Sequence, residues 1–169
     1  MAVVTKKSTI ITNRDATPVL LTDPQVSSGH IRLGNGFVSA VSGDSIASAY
    51  IIHQIPSNAR VSSMVLSCEA LGALAKVDVG VFKRTQNGGA IANTASGNFF
   101  CAALDVSAAL SATDITNQAG TNTLDKQEQP LWQAIGLASD PETMFDIAII
   151  VNAAIAANGK IALRTSYMS

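Results

Sequence analysis

Charge is scarce in this chain: 14% of its residues are Asp, Glu, Lys or Arg, against roughly 25% in ordinary soluble domains. The 11 Lys plus Arg nearly balance the 12 Asp plus Glu, so no excess of either sign draws the chain to a polyanion or an anionic bilayer. That argues against nucleic acid and membrane as partners. Aromatic residues make up 5% and do not interleave with basic ones, which removes the stacking platform of a single-strand binder. The longest apolar run, Ile147 to Ala157, is interrupted by Asn152 and falls short of the ~20 residues of a spanning helix. The start, Met1-Ala2-Val3-Val4-Thr5-Lys6-Lys7, has no apolar stretch after its lysines and does not read as a secretory signal, so synthesis in a cytoplasm is expected. Cysteine is nearly absent. Cys68 and Cys101 sit far apart in apolar contexts with no Cys or His at metal-ligand spacing, and read as small buried hydrophobes. A disulfide between adjacent strands is the alternative, disfavoured in an intracellular protein.

Those 169 residues suffice for one domain with a core of useful size. Low charge combined with a mean hydropathy of +0.29 leaves too little charge to coat a free monomer. A homo-oligomer, dimer or trimer, or a chain lying on a larger partner, is expected.

Short strands separated by turns dominate what is there. Pro56-Ser57-Asn58 leads into Ala59 to Cys68, and after a short break comes Lys76 to Phe82. In the latter, Val77, Val79 and Val81 share one face and Lys76, Asp78 and Gly80 the other, the pattern of a half-buried antiparallel strand. Upstream, Val19-Leu20-Leu21, His30 to Leu33 and Phe37 to Val41 are short apolar runs, with Gly34-Asn35-Gly36 as a tight hairpin turn between the last two. In Ser45 to Ile55 the expected core residues are Ile46, Tyr50 and Ile52. Asn98 to Asp105 reads as another strand. Ser107 to Asn122, rich in Ala, Ser, Thr and Asn, reads as a helical turn at Ser107-Ala108-Ala109-Leu110 followed by a long loop. Pro130 and the spacing of Leu131, Ile135 and Ala138 predict one short helix, limited by Gly136. Phe145 to Val151 is apolar on both faces, as a central strand is. Lys160 to Tyr167 alternates, and Asn158-Gly159 predicts that it pairs with its predecessor as a hairpin. The expected fold is all-β: an antiparallel β-sandwich, jelly-roll-like, with one short helix. Residues 1–14 form an N-terminal arm or edge strand and residues 15–169 a single sandwich domain.

Little in the sequence carries chemistry. Gly43-Asp44-Ser45-Ile46 resembles the block around the serine nucleophile of one hydrolase class, but a base is required. Both histidines, His30 and His53, lie in the first third of the chain rather than near its end, as in that class. A turn capped by Asp44 or Ser45 is the better reading. His53, among Ile51, Ile52 and Ile55, reads as packed or solvent-facing. Trp132, Tyr50 and Phe37 would make a sugar platform if brought together, but Trp132 beside Leu131 and Ile135 reads as core. Asp44, Asp78, Asp105 and Asp146 stand singly, unlike a calcium loop. No catalytic residue, metal or cofactor is expected.

Gly43-Asp44-Ser45, Ile55 to Val61, Val77 to Phe82, Leu131-Trp132 with Gly136-Leu137, and Asp140-Pro141 to Ala148 together resemble small structural proteins of tailed bacteriophages. The likeness is greatest to the capsid cement or decoration proteins of short-tailed phages, and it runs from about residue 28 to the end. It implies a non-enzymatic jelly-roll-like sandwich that oligomerises on the outside of the shell and bridges major capsid protein subunits, in the virion rather than the cell. A carbohydrate- or receptor-binding module of a head fibre or tail is the alternative. Position and composition, rather than the resemblance, nominate the partner-binding residues: Lys6, Lys7 and Arg14 in the arm, Lys83 and Arg84 in the loop to Gly89, with Ser107 to Asn122 as a further contact loop.

Overall fold

The computed structural model describes residues 6–27, 29–84 and 97–169. Among the described residues, eight antiparallel strands build two four-stranded sheets. They are β1 (Ile31–Ala40), β2 (Ala49–Pro56), β3 (Arg60–Cys68), β4 (Lys76–Lys83), β5 (Cys101–Asp105), β6 (Leu110–Asp114), β7 (Met144–Ala153) and β8 (Gly159–Met168). One sheet has the order β1-β8-β3-β6 and the other β2-β7-β4-β5. Every connection except β4 to β5 therefore passes from one sheet to the other. The all-β antiparallel sandwich read from the strand patterns is the fold observed.

The core lies between the sheets. Met64, Leu66, Ile161 and Leu163 enter from one side and Val77, Val79, Val81, Ile147, Ile149 and Val151 from the other, all fully buried. Each contributes at alternate positions, as two facing pleated layers require. Phe99 and Phe100 pack edge to face, with ring centroids 4.9 Å apart, and Ile115 and Leu131 join the same core. β7 lies inside its sheet between β2 and β4, as its two-sided apolarity indicates. β4 is buried on more than the expected face, because Gly80 and Phe82 are buried along with the valines. The predicted helix is α3 (Leu131–Ala134), with Leu131 and Ala134 turned inward and Gly136, at φ +86°, ending it in a conformation that glycine adopts freely.

Three turn and loop expectations and one core residue are corrected. Gly34-Asn35-Gly36 lies inside β1 and makes no hairpin; these glycines serve close approach, since a β-carbon on Gly36 would stand 2.7 Å from the Ile52 carbonyl oxygen. Asn158-Gly159 does not join β7 to β8 as a hairpin, because β7 and β8 belong to opposite sheets. Asn158 instead accepts a hydrogen bond from Ser42 N–H at 2.7 Å. Part of the predicted loop at Ser107 to Asn122 is strand β6, which pairs with β3 through Leu66–Thr113 and Cys68–Leu110; tertiary pairing overrides a weak local preference. Ile46, expected in the core, is 66% exposed, because the Asp44 to Ser48 turn holds it outside the sandwich.

By its contacts the chain falls into two units, residues 1–30 and 31–169. In the first, the segment read as an arm or edge strand contains a helix, α1 (Thr9–Arg14). Ser8 caps it by accepting from Ile11 N–H, an N-cap signal that outweighs the β-prone Thr-Ile-Ile run. A second short helix, α2 (Pro24–Ser27), follows. Val19-Leu20-Leu21 forms no regular element and is exposed.

Candidate interaction surfaces

The nominated basic residues occupy different settings. In the first unit Lys6, Lys7 and Arg14 are all exposed. Lys7 Nζ and Arg14 Nε both donate to the carboxylate of Asp15, at 2.8 and 2.7 Å. Arg14 first and Lys7 second hold the Asp15 carboxyl below its ordinary range. Val19, Leu20 and Leu21, 65%, 55% and 96% exposed, give this unit an apolar surface beside its charged one. Residues 1–5 of the predicted arm lie outside the described residues.

In the second unit Lys83 ends β4 and is exposed. Arg84 lines an open cleft of about 580 Å³ together with Pro56, Ser57, Asn58, Asp140 and Glu142. Asp140 is committed to structure there: Oδ1 accepts from the Ser57 hydroxyl and from Glu142 N–H. Residues 85–89 of the predicted contact loop lie outside the described residues. Of the other predicted contact loop, β6 forms the far edge of its sheet, and Asn117 and Asn122 tie the following turn to itself through side-chain-to-backbone bonds of 2.7 and 2.8 Å.

The Gly43-Asp44-Ser45 turn is held by its aspartate. Asp44 Oδ2 accepts from the Tyr50 hydroxyl and from Val41 N–H, which lower its pKa in that order of importance. Burial, and then Asp44, push the Tyr50 phenol well above its usual range. Neither ring nitrogen of His53 has a hydrogen-bond partner, so His53 does not serve Ser45 as a bonded base. Burial lowers the His53 pKa to about 4. The three rings considered as a sugar platform are not brought to one exposed surface: Tyr50 is buried, Trp132 packs against the core, and Phe37 is 66% exposed.

Cys68 and Cys101 are free and buried, one in each sheet. Burial, with a smaller contribution from the Asp78 charge, pushes the Cys101 thiol up to about 11. Among the described residues no group of three or more His, Cys, Asp or Glu is placed to hold a metal ion, and no helix is long and apolar enough to cross a membrane.

One surface was not singled out from the sequence. β1 alternates so that Ile31, Leu33 and Phe37 face away from the core, each 66% exposed, with Val41 just beyond at 54%. Across the ladder, on the same outer face, β8 presents Ser166, Arg164, Ala162 and Lys160 opposite Leu33, Asn35, Phe37 and Ser39. The face thus carries the cations Arg164 and Lys160 on β8 beside an apolar margin of Ile31, Leu33 and Phe37 on β1. The period-two spacing of Ile31, Leu33 and Phe37 signals it, once Gly34-Asn35-Gly36 is read as strand.

No protein-family model matches the sequence, and no curated protein matches it. Among solved structures, the chain is similar to one in the capsid of Ralstonia phage GP4, with a TM-score of 0.60 and 18% identity over 83% of this chain and 85% of that one. It is more loosely similar to a chain in the cyanophage Pam1 capsid asymmetric unit, with a TM-score of 0.49 and 16% identity over 91% of this chain and 96% of that one. At these identities the likeness is one of fold.

Proposed function

We propose that this chain is a non-enzymatic structural protein of a phage virion, a cement or decoration protein that binds the outside of the capsid shell and bridges major capsid protein subunits. The observation that carries the reading is the fold shared with a chain of the Ralstonia phage GP4 capsid over most of both chains. The strand orders β1-β8-β3-β6 and β2-β7-β4-β5 support the jelly-roll reading, in which two Greek keys fold into facing sheets, the architecture that the sequence resemblance implies. A sparsely charged chain with exposed apolar side chains on both units suits a protein that works against other chains.

The work of such a protein is linkage. A ligand that binds the assembled lattice and not its free subunits stabilises the lattice by mass action. Repetition over many symmetric copies multiplies a modest contact through avidity. In this reading the protein acts as a homo-oligomer, and the arm, residues 1–14, contributes contacts through Lys6, Lys7 and Arg14.

The test is co-sedimentation of the purified protein with empty shells lacking it, across rising salt, followed by heat-induced genome release from filled shells. Saturable binding that delays release supports the reading. Absence of binding to both immature and expanded shells overturns it, and a glycan screen then tests the receptor-binding alternative.

A further inference from the structure

We propose that His53 and Thr165 form an internal water site where the edge strands β1 and β2 of opposite sheets meet: one water molecule bridges the imidazole Nε2 to the Thr165 hydroxyl and ties the two sheets together beside Gly34. The inference concerns the folded chain alone and stands apart from any binding to a shell.

Among the described residues, three buried side-chain polar atoms have no hydrogen-bond partner in the chain: His53 Nδ1, His53 Nε2 and Thr165 Oγ1. The fold brings them to one place. Thr165 stands directly opposite Gly34 in the β1–β8 ladder and is fully buried. Its side chain therefore leaves the sheet on the inner face, next to the position where Gly34 has none. The imidazole fills that position from the other sheet, with Cδ2 and Nε2 only 2.5 and 2.8 Å from where a Gly34 β-carbon would be. Opposed β-carbons of an antiparallel pair lie about 5 Å apart. Nε2 and Thr165 Oγ1 are thus neighbours without being bonded, and two hydrogen bonds through one water span roughly 5 Å.

Three local features converge on this place, and each is costly unless the site is used. The inner face of β8 is aliphatic at Ile161 and Leu163 and turns polar at Thr165, where valine would fill the same volume without burying an unpaired hydroxyl. β2 breaks its register between Ile51 and His53, a bulge of the kind that re-aims a side chain; it sets His53 opposite Ile147, a fully buried core residue. β1 gives up a side chain at Gly34, and the ring takes the room.

The chemistry of the atoms selects water. A neutral imidazole offers one N–H and one bare nitrogen, and a hydroxyl both donates and accepts, so a water complements either tautomer. Burial lowers the His53 pKa to about 4, which leaves the ring uncharged at neutral pH and gives an anion nothing to pair with. Among the described residues no group of three His, Cys, Asp or Glu is placed for a metal ion. Buried waters characteristically satisfy such otherwise unpaired groups with two to four hydrogen bonds. Nδ1, which the bridge leaves over, is the atom for a second water.

The experiment combines a high-resolution crystal structure of the full chain at neutral pH with a double-mutant cycle read by urea denaturation. A single density peak within hydrogen-bond distance of both Nε2 and Thr165 Oγ1 is expected. Thr165→Val and His53→Leu should each lower the folding equilibrium constant, and the double variant should be about fivefold more stable than the product of the two losses, because the second change removes the group that the first leaves unpaired. Thr165→Ser, which keeps the hydroxyl and loses the methyl group, should retain the density peak, whereas Thr165→Val should lose it; this separates the bridge from packing. Circular dichroism confirms that each variant is folded, and the wild-type density decides if one is not. A dry contact between His53 and Thr165, a direct hydrogen bond between them, or a cycle in which the two losses simply multiply overturns the proposal.

Discussion

Gly34 and His53 compete for one space: a β-carbon on Gly34 would stand 2.5 Å from Cδ2 and 2.8 Å from Nε2 of the imidazole. β1 and β2, edges of opposite sheets, approach closely here because one has no side chain and the other a flat ring. Gly34→Ala is expected to destabilise the fold by about 1–3 kcal/mol, the usual cost of overpacking. In urea melts the midpoint falls and the slope stays unchanged. Gly34→Ala combined with His53→Ala should cost less than the sum of the two single changes, since the second removes the obstacle that the first meets.

His53 also gives the fold a pH dependence. With both ring nitrogens buried and without partners, burial lowers the pKa from 6.5 to about 4. The unfolded chain therefore takes up a proton at a higher pH than the folded one. The stabilisation is complete above pH 6.5 and declines as the pH falls toward about 4. One pKa unit corresponds to about 1.4 kcal/mol, and after discounting for the ring's partial exposure the loss amounts to about 2 kcal/mol. Urea midpoints measured between pH 7 and pH 4 check this: His53→Leu should flatten the profile, and an unchanged slope would assign the effect to other groups.

Tyr50 and Asp44 close the turn between β1 and β2. Tyr50→Phe deletes the hydroxyl that donates to Asp44 Oδ2 while leaving the buried ring in place. The expected loss is about 1 kcal/mol, the net worth of one such bond. Asp44→Asn, which keeps an acceptor for both Tyr50 and Val41 N–H, should be milder than Asp44→Ala. The same urea titration ranks the three.

What the sequence revealed and what it hid follow from the range of the forces involved. Val77, Val79 and Val81, and the two-sided run of β7, announce their strands because burial is written into local alternation. Pro130 and Gly136 bracket α3 for equally local reasons. Asn158-Gly159 and Gly34-Asn35-Gly36 misled because the same residues serve two needs. A glycine that permits a tight turn also permits close approach, and the partner in that approach, His53 or Ile52 for β1, is fixed by sheet order rather than by neighbours in sequence. β6 was hidden because its pairing with β3 crosses more than forty residues. Among the nominated contact residues, exposure was legible, but the convergence of Lys7 and Arg14 on Asp15 was not, since it depends on the turn that α1 creates.

That convergence leads to the last expectation. Residues 6–15 carry a net charge of +2, and Asp15 spends its carboxylate on two of the three cations. Pairs this exposed contribute little to stability, so Asp15→Asn should leave the thermal midpoint unchanged. It raises the charge of the segment to +3 and releases Lys7 and Arg14 to other partners. If the arm meets the shell through its cations, Asp15→Asn tightens co-sedimentation at low salt and steepens the loss of binding as salt rises. Lys6→Gln with Lys7→Gln does the reverse. Deletion of residues 1–14 weakens attachment while the circular dichroism of the sandwich is retained. Shell occupancy that ignores all three changes would remove the arm from the contact, and Lys83 and Arg84 on the other unit would be the next residues to replace.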